Sequence, residues 1–102
     1  MQVLALMSAA AGRQVADFDP YQELEEPRVW ALYAENAIRQ MWYRTDQIGA
    51  IAMLEAGSLE AATEIVHSLP MIRDGLLEVE LVPLAPFTGI EALFADRFRK
   101  DR

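Results

Sequence analysis

Glu78 and Glu80 stand two residues apart in the run Leu76-Leu77-Glu78-Val79-Glu80-Leu81-Val82. On a strand, that spacing puts both carboxylates on one face, roughly 6–7 Å from each other. Carboxylates held close together and partly buried become usable general acids or bases at neutral pH. Facing water, or paired with arginines across an interface, the same two groups do no chemistry, and spacing does not separate these readings. A second polar set lies in Ile38-Arg39-Gln40-Met41-Trp42-Tyr43-Arg44. Gln40, Trp42 and Arg44 alternate onto one face of a strand, where Arg44 can hold a carboxylate bidentately with Gln40 beside it. The same side chains serve equally as the polar face of an edge strand. An indole among polar groups suits either a pocket wall or the seam between two subunits.

Other chemistries have little to work with. The chain has no cysteine, hence no disulfide, no thiolate nucleophile and no thiolate metal site. Its one histidine, His67, leaves little for a histidine metal centre or a Ser-His triad, and it falls at the end of a helix where the dipole favours it structurally. Gly49, Gly57, Gly75 and Gly89 each punctuate a turn, and no glycine-rich phosphate loop occurs. We therefore expect no metal and no organic cofactor. A net charge of −7 argues against nucleic acid as a partner. The one basic cluster, Arg97, Arg99, Lys100 and Arg102, reads as a solvated tail.

The elements that must position these residues read clearly. A wholly apolar run over 3–7 predicts a strand buried on both faces, and 9–18 a surface loop. Asp19-Pro20 starts a helix, the carboxylate capping free N–H groups. Its apolar positions are Tyr21, Leu24, Val29, Trp30, Leu32, Tyr33 and Ala37, with Trp30 and Tyr33 as packing residues. Pro27 kinks or restarts that helix, and Asn36 is its left-handed terminator. Strands follow at 38–44 and 50–54 around the turn Asp46-Gln47-Ile48-Gly49. Ser58 caps a second helix with the stripe Leu59, Ala62, Ile65, Val66 and Leu69, which Pro70 ends. The last strand spans 76–82.

A chain of 102 residues makes one domain, here 1–88 with a helical tail over 89–102, and its core is small enough to gain from a second copy. The apolar start lacks the positive charge of a signal peptide, and no apolar run reaches the length of a membrane span. A cytoplasmic protein with no membrane association is expected. Strands one and three are apolar on both sides, as central strands are, while two and four alternate, as edges do. With right-handed crossovers these choices predict an α+β, ferredoxin-like βαββαβ fold, antiparallel order 4-1-3-2. Two helices cover one face of that sheet. The other face calls for a homodimer or higher oligomer, and two facing sheets would enclose a cavity for a small-molecule ligand.

Arg39-Gln40-Met41-Trp42, the hairpin after it, Ser58-Leu59-Glu60-Ala61, Leu69-Pro70-Met71 and Leu77-Glu78-Val79 together resemble the muconolactone delta-isomerase family over residues 35–86. The resemblance implies a dimeric α/β barrel and a cofactor-free isomerase that abstracts and returns a proton. It matches Arg39, Trp42 and Glu78 to family positions. Gln40 and Ala85 stand where the family carries histidines. The implied chemistry is that of an isomerase or cyclase acting on a small oxygenated cyclic compound through the carboxylates Glu78 and Glu80; the alternative is a dimeric module that binds a small ligand without turning it over.

Overall fold

A computed structural model describes residues 1–95 of the chain. Its elements are β1 (Gln2–Ala9), α1 (Val15–Phe18), a 3₁₀ turn (Asp19–Tyr21), α2 (Gln22–Ala34), β2 (Ile38–Tyr43), β3 (Gly49–Glu55), α3 (Leu59–His67), α4 (Pro70–Arg73) and β4 (Leu77–Pro83). A 3₁₀ segment, Thr88–Phe94, follows. The strands form one antiparallel sheet in the order β2-β3-β1-β4. This is the ferredoxin-like α+β sheet that the sequence pattern predicts, with the half-polar strands at the edges.

Alternation decides which face is which. Val3, Ala5 and Met7 of β1 and Ala50, Ala52 and Leu54 of β3 are buried against the helices. Leu4, Leu6, Ile51 and Met53, one residue out of phase, lie on the opposite face and are half-buried. The helices supply Leu32 from α2 and Ala62 and Val66 from α3, all nearly inaccessible. Burying one such aliphatic side chain is worth about 1.5–3 kcal/mol, so the whole core sits between sheet and helices. Arg28 of α2 donates from Nε to Ser68 Oγ at 3.0 Å and ties the helix layer together.

Several local features depart from the simplest reading of the sequence. The 9–18 stretch contains α1, whose Phe18 is buried and whose start is held by the Gln14 N–H donating to Asp17 Oδ2 at 2.7 Å. Asp19 makes no side-chain cap. Pro27 lies within α2 without ending it, because the carbonyl it leaves unbonded, that of Glu23, is on an exposed part of the helix where water can serve. Asn36 does terminate the helix in the left-handed conformation, with φ of 64°. Pro70 ends α3 and at once opens α4. In β2 the register slips between Ile38, which pairs with Leu54, and Gln40, which pairs with Met53. Arg39 is therefore bulged out of the alternation, and Ile38 and Met41 both face the core. Of the expected helical tail, 88–94 form the 3₁₀ segment; the rest, with its basic cluster, lies outside the described residues.

Gly49 joins the hairpin to the sheet where the backbone of β1 comes close to it. A Cβ there would run into the Met7 carbonyl of β1. Gly49→Ala should therefore push β3 away from β1 and destabilise the protein by about 2–3 kcal/mol. Urea denaturation checks this, and a loss below about 0.5 kcal/mol would show that the strands absorb a methyl group without moving.

Candidate functional site

The inner stripe of α2 runs Tyr21, Glu25, Val29, Leu32, a helical spacing that puts a carboxylate where an apolar residue is expected. Glu25 is only 7% exposed. It is tolerated there because α4 begins just beyond it. Leu69 precedes α4 and has no side chain to cap it, so the backbone N–H of Met71 donates to Glu25 Oε1 at 3.0 Å. Burial pushes the Glu25 carboxyl above its ordinary pKa, opposed by the Met71 hydrogen bond and by the charge of Arg73. The α4 segment is in turn braced against the start of the helix layer, where the Tyr21 hydroxyl donates to Asp74 Oδ2 at 2.9 Å. Hydrogen bonds from Arg73 and Tyr21 hold the Asp74 carboxyl down at about 2.

Glu25 faces a cavity of about 670 Å³ between the helix layer and the β2–β3 end of the sheet. Phe18, Val29 and Tyr33 wall it on the helix side, and Met41, Ala50 and Leu77 on the sheet side. Trp30, Trp42 and Tyr43 also line it, and their exposures of 72%, 43% and 88% put them at its mouth. Trp30 is thus no core residue, and Leu24, at 56% exposed, is off the apolar stripe. The phase of α2 is set by Tyr21 and Leu32, and that phase turns Glu25 inward in place of Leu24. This is the signal that residue type alone conceals.

The residues expected at the site divide between two places. Glu78 and Glu80 are exposed, on the sheet face away from the helices. With Leu6, Ser8 and Arg44 they border a depression of about 290 Å³. The register explains how edge strands on opposite sides of the sheet meet there. Ser8 pairs with Gly49 on one side and Glu78 on the other, and Gly49 has no side chain to fill the row. Arg44 also lines the large cavity, but its guanidinium is already held by Asp46, Nε to Oδ1 at 3.0 Å and Nη2 to Oδ2 at 2.8 Å. Those bonds hold the Asp46 carboxyl below its ordinary pKa. Gln40 is on the same outer face beside Met53, and the bulged Arg39 is exposed; neither lines the large cavity or the depression at Glu78 and Glu80. His67 is exposed at the end of α3, its Nδ1 2.8 Å from the Thr63 carbonyl. Among the described residues no three His, Asp or Glu side chains gather as metal ligands, and no helix is long and apolar enough to cross a membrane.

No protein-family model and no curated protein matches the sequence. Solved structures do match the fold. The 5-chloro-2-hydroxyhydroquinone dehydrochlorinase of Burkholderia phenoliruptrix AC1100, in complex with 2,5-dihydroxybenzoquinone, superposes with a TM-score of 0.71 at 15% identity, over 87% of this chain and 98% of its own. A muconolactone isomerase superposes with a TM-score of 0.67 at 17% identity, over 84% of this chain and 90% of its own. The likeness at these identities is one of fold: the chain shares the antiparallel α+β architecture of these structures.

The position of Glu25 has a consequence for stability. A carboxyl whose folded pKa is raised favours the fold fully below its unfolded pKa, and that contribution is lost as pH rises through the folded value. Glu25→Gln keeps an acceptor for Met71 and removes the charge. The variant should therefore gain in Tm over wild type between pH 4 and pH 7.5. A Tm difference that does not change with pH would show that the carboxylate is not desolvated.

Proposed function

We propose that the protein is a cytoplasmic, homodimeric enzyme that moves a proton within a small oxygenated ring compound without a cofactor, with Glu25 as the group that takes and returns the proton. The observation that carries this reading is a nearly buried carboxylate on an aromatic-lined cavity of about 670 Å³. In the step envisaged, the Glu25 carboxylate removes a proton from a ring carbon next to a carbonyl. The electron pair moves onto the carbonyl oxygen as an enolate, and the proton is returned at another carbon of the conjugated system. Substrate and product then have the same composition. A carboxyl with a raised pKa accepts and gives back a proton near neutral pH more evenly than an exposed one. Met71 fixes one carboxylate oxygen and leaves the other for the substrate. The fold neighbours support a ring substrate, since one of them holds 2,5-dihydroxybenzoquinone and the other is named an isomerase.

A second reading rests on a separate observation, the convergence of Arg44, Glu78 and Glu80 on one depression of the outer sheet face. Covered by a second subunit, Glu78 would become the acid–base group and Arg44 the anchor of an enolate. Two variants separate the readings. Glu25→Gln should lower turnover of a ring-carbonyl substrate on the order of 10²–10⁴-fold, the usual loss for a removed general base, and Glu78→Gln less than tenfold. The reverse ranking would move the chemistry to the outer face. Full activity in both would leave a binding module.

The dimer follows from uncovered apolar surface. Among the described residues no helix lies over Leu4, Leu6, Ile51 and Met53, and Trp42 is 43% exposed beside them. Phe87, Ile90, Leu93 and Phe94 after β4 are all exposed as well. A soluble monomer rarely leaves contiguous apolar patches of this extent in water. Light scattering should give twice the 11.5 kDa chain mass or a multiple of it. Trp42→Glu should shift that equilibrium toward monomer at least tenfold. A folded 11.5 kDa species at micromolar concentration would refute the assembly.

A further inference from the structure

The charges on the large cavity narrow what it can hold, given the reading that this cavity is the functional site. Asp19, Glu25 and Glu26 line it, all acidic. Among the described residues one basic side chain lines it, Arg44, and the Nε–Nη2 edge of that guanidinium is paired bidentately with the Asp46 carboxylate, which offsets its charge. The sequence offers Arg44 as the anchor for a substrate carboxylate, and the structure spends that charge elsewhere. The remaining wall is aromatic and aliphatic, with Gln22, Gln47 and Tyr33 as neutral hydrogen-bonding groups. We infer that the cavity takes an uncharged compound of two or three fused rings, bearing a ring carbonyl and hydroxyl groups, and rejects carboxylates of the same shape.

Size and charge argue for the two halves of that statement separately. A cavity of roughly 150 Å³ accommodates one benzene ring. A space of about 670 Å³ therefore leaves one ring loosely held, even with part of the volume at an open mouth. Fused rings fill it and meet Phe18 and Tyr33 with offset or edge contacts. A ring hydroxyl gives Glu25 and the glutamines a donor. A carboxylate in the same place meets the buried Glu25 and the exposed Asp19 and Glu26 as like charges, and the one cation lining the cavity among the described residues is already paired with Asp46. Discrimination of ten- to a hundredfold is the expected size of such an effect.

Matched probes test this on the intact protein by calorimetry at pH 7. 2-Naphthol is neutral there and 2-naphthoate is charged; phenol is the one-ring control. We expect 2-naphthol to bind at least tenfold more tightly than either of the others. In Asp19→Asn/Glu26→Gln, which leaves the buried Glu25 in place, the gap between naphthol and naphthoate should shrink at least threefold. Naphthoate binding as tightly as naphthol, or a gap unmoved by that double variant, overturns the charge selection while the cavity stands as the site. Phenol binding as tightly as naphthol overturns the ring count. Failure of all three to bind overturns this inference together with the cavity reading.

Discussion

A four-stranded sheet has two faces, and this chain carries helices for one of them. Everything else in the molecule follows from that imbalance. Because β1 and β3 are apolar on both sides, their inner rows, Val3, Ala5, Met7 and Ala50, Ala52, Leu54, make the core with Leu32 and Val66. Their outer rows are left half-covered. The edge strands resolve the same imbalance differently, by alternating. Leu77, Val79 and Leu81 face inward, while Glu78 and Glu80 keep the outer edge in water. The outer face is therefore apolar along its centre and charged along its rim, the distribution found in interfaces rather than free surfaces.

The helix layer does not cover even its own face completely, and the gap is the cavity. α2 ends its close contact with the sheet where the β2–β3 hairpin and the short α4 lie, and α4 arrives with free backbone N–H groups. An apolar residue at position 25 would fill the stripe but leave the Met71 N–H without an acceptor in a buried place, at a cost of about 1–3 kcal/mol. A glutamate satisfies the N–H and in exchange carries a carboxyl whose pKa burial raises. One local problem in helix capping thus produces the most chemically useful group in the chain.

The strands, their order and the bare outer face were legible because β patterning has a period of two and the edges differ in polarity from the centre. The second helix was legible for a similar reason, from Ser58 as cap and Pro70 as stop. What the sequence hid was the phase of α2. Leu24 and Trp30 look like core residues by type, yet Tyr21 and Leu32 set the rotation that exposes both and turns Glu25 inward. Nothing local announces α4 either, since Pro70 reads equally as an end and as a beginning, and without α4 a buried Glu25 has no partner. The convergence of Arg44 with Glu78 and Glu80 was half legible. Each residue could be placed on the outer face, but the empty row at Gly49 that lets them meet depends on a backbone contact with Met7.

The fold shared with a dehydrochlorinase and an isomerase constrains the shape of the site more than its chemistry. On the outer face, Gln40 stands beside Met53, at a position where the sequence resemblance places a histidine in the isomerase family. Gln40 cannot titrate, and the carboxylates at the two cavities differ in their surroundings. Those on the outer face are open to water, whereas Glu25 is enclosed, hydrogen-bonded and surrounded by rings. The same comparison bears on charge. The acidic groups around the large cavity of this chain outnumber the basic ones, and the one arginine that lines it among the described residues is paired with Asp46. A proton can be moved from a neutral ring by a carboxylate without bringing two negative charges together at the start. With an anionic ring, the substrate would have to approach the base against its charge before any bond changed. In a cavity of this sign, a neutral ring would meet Glu25 without charge repulsion, whereas an anion would meet Asp19 and Glu26 as well as Glu25.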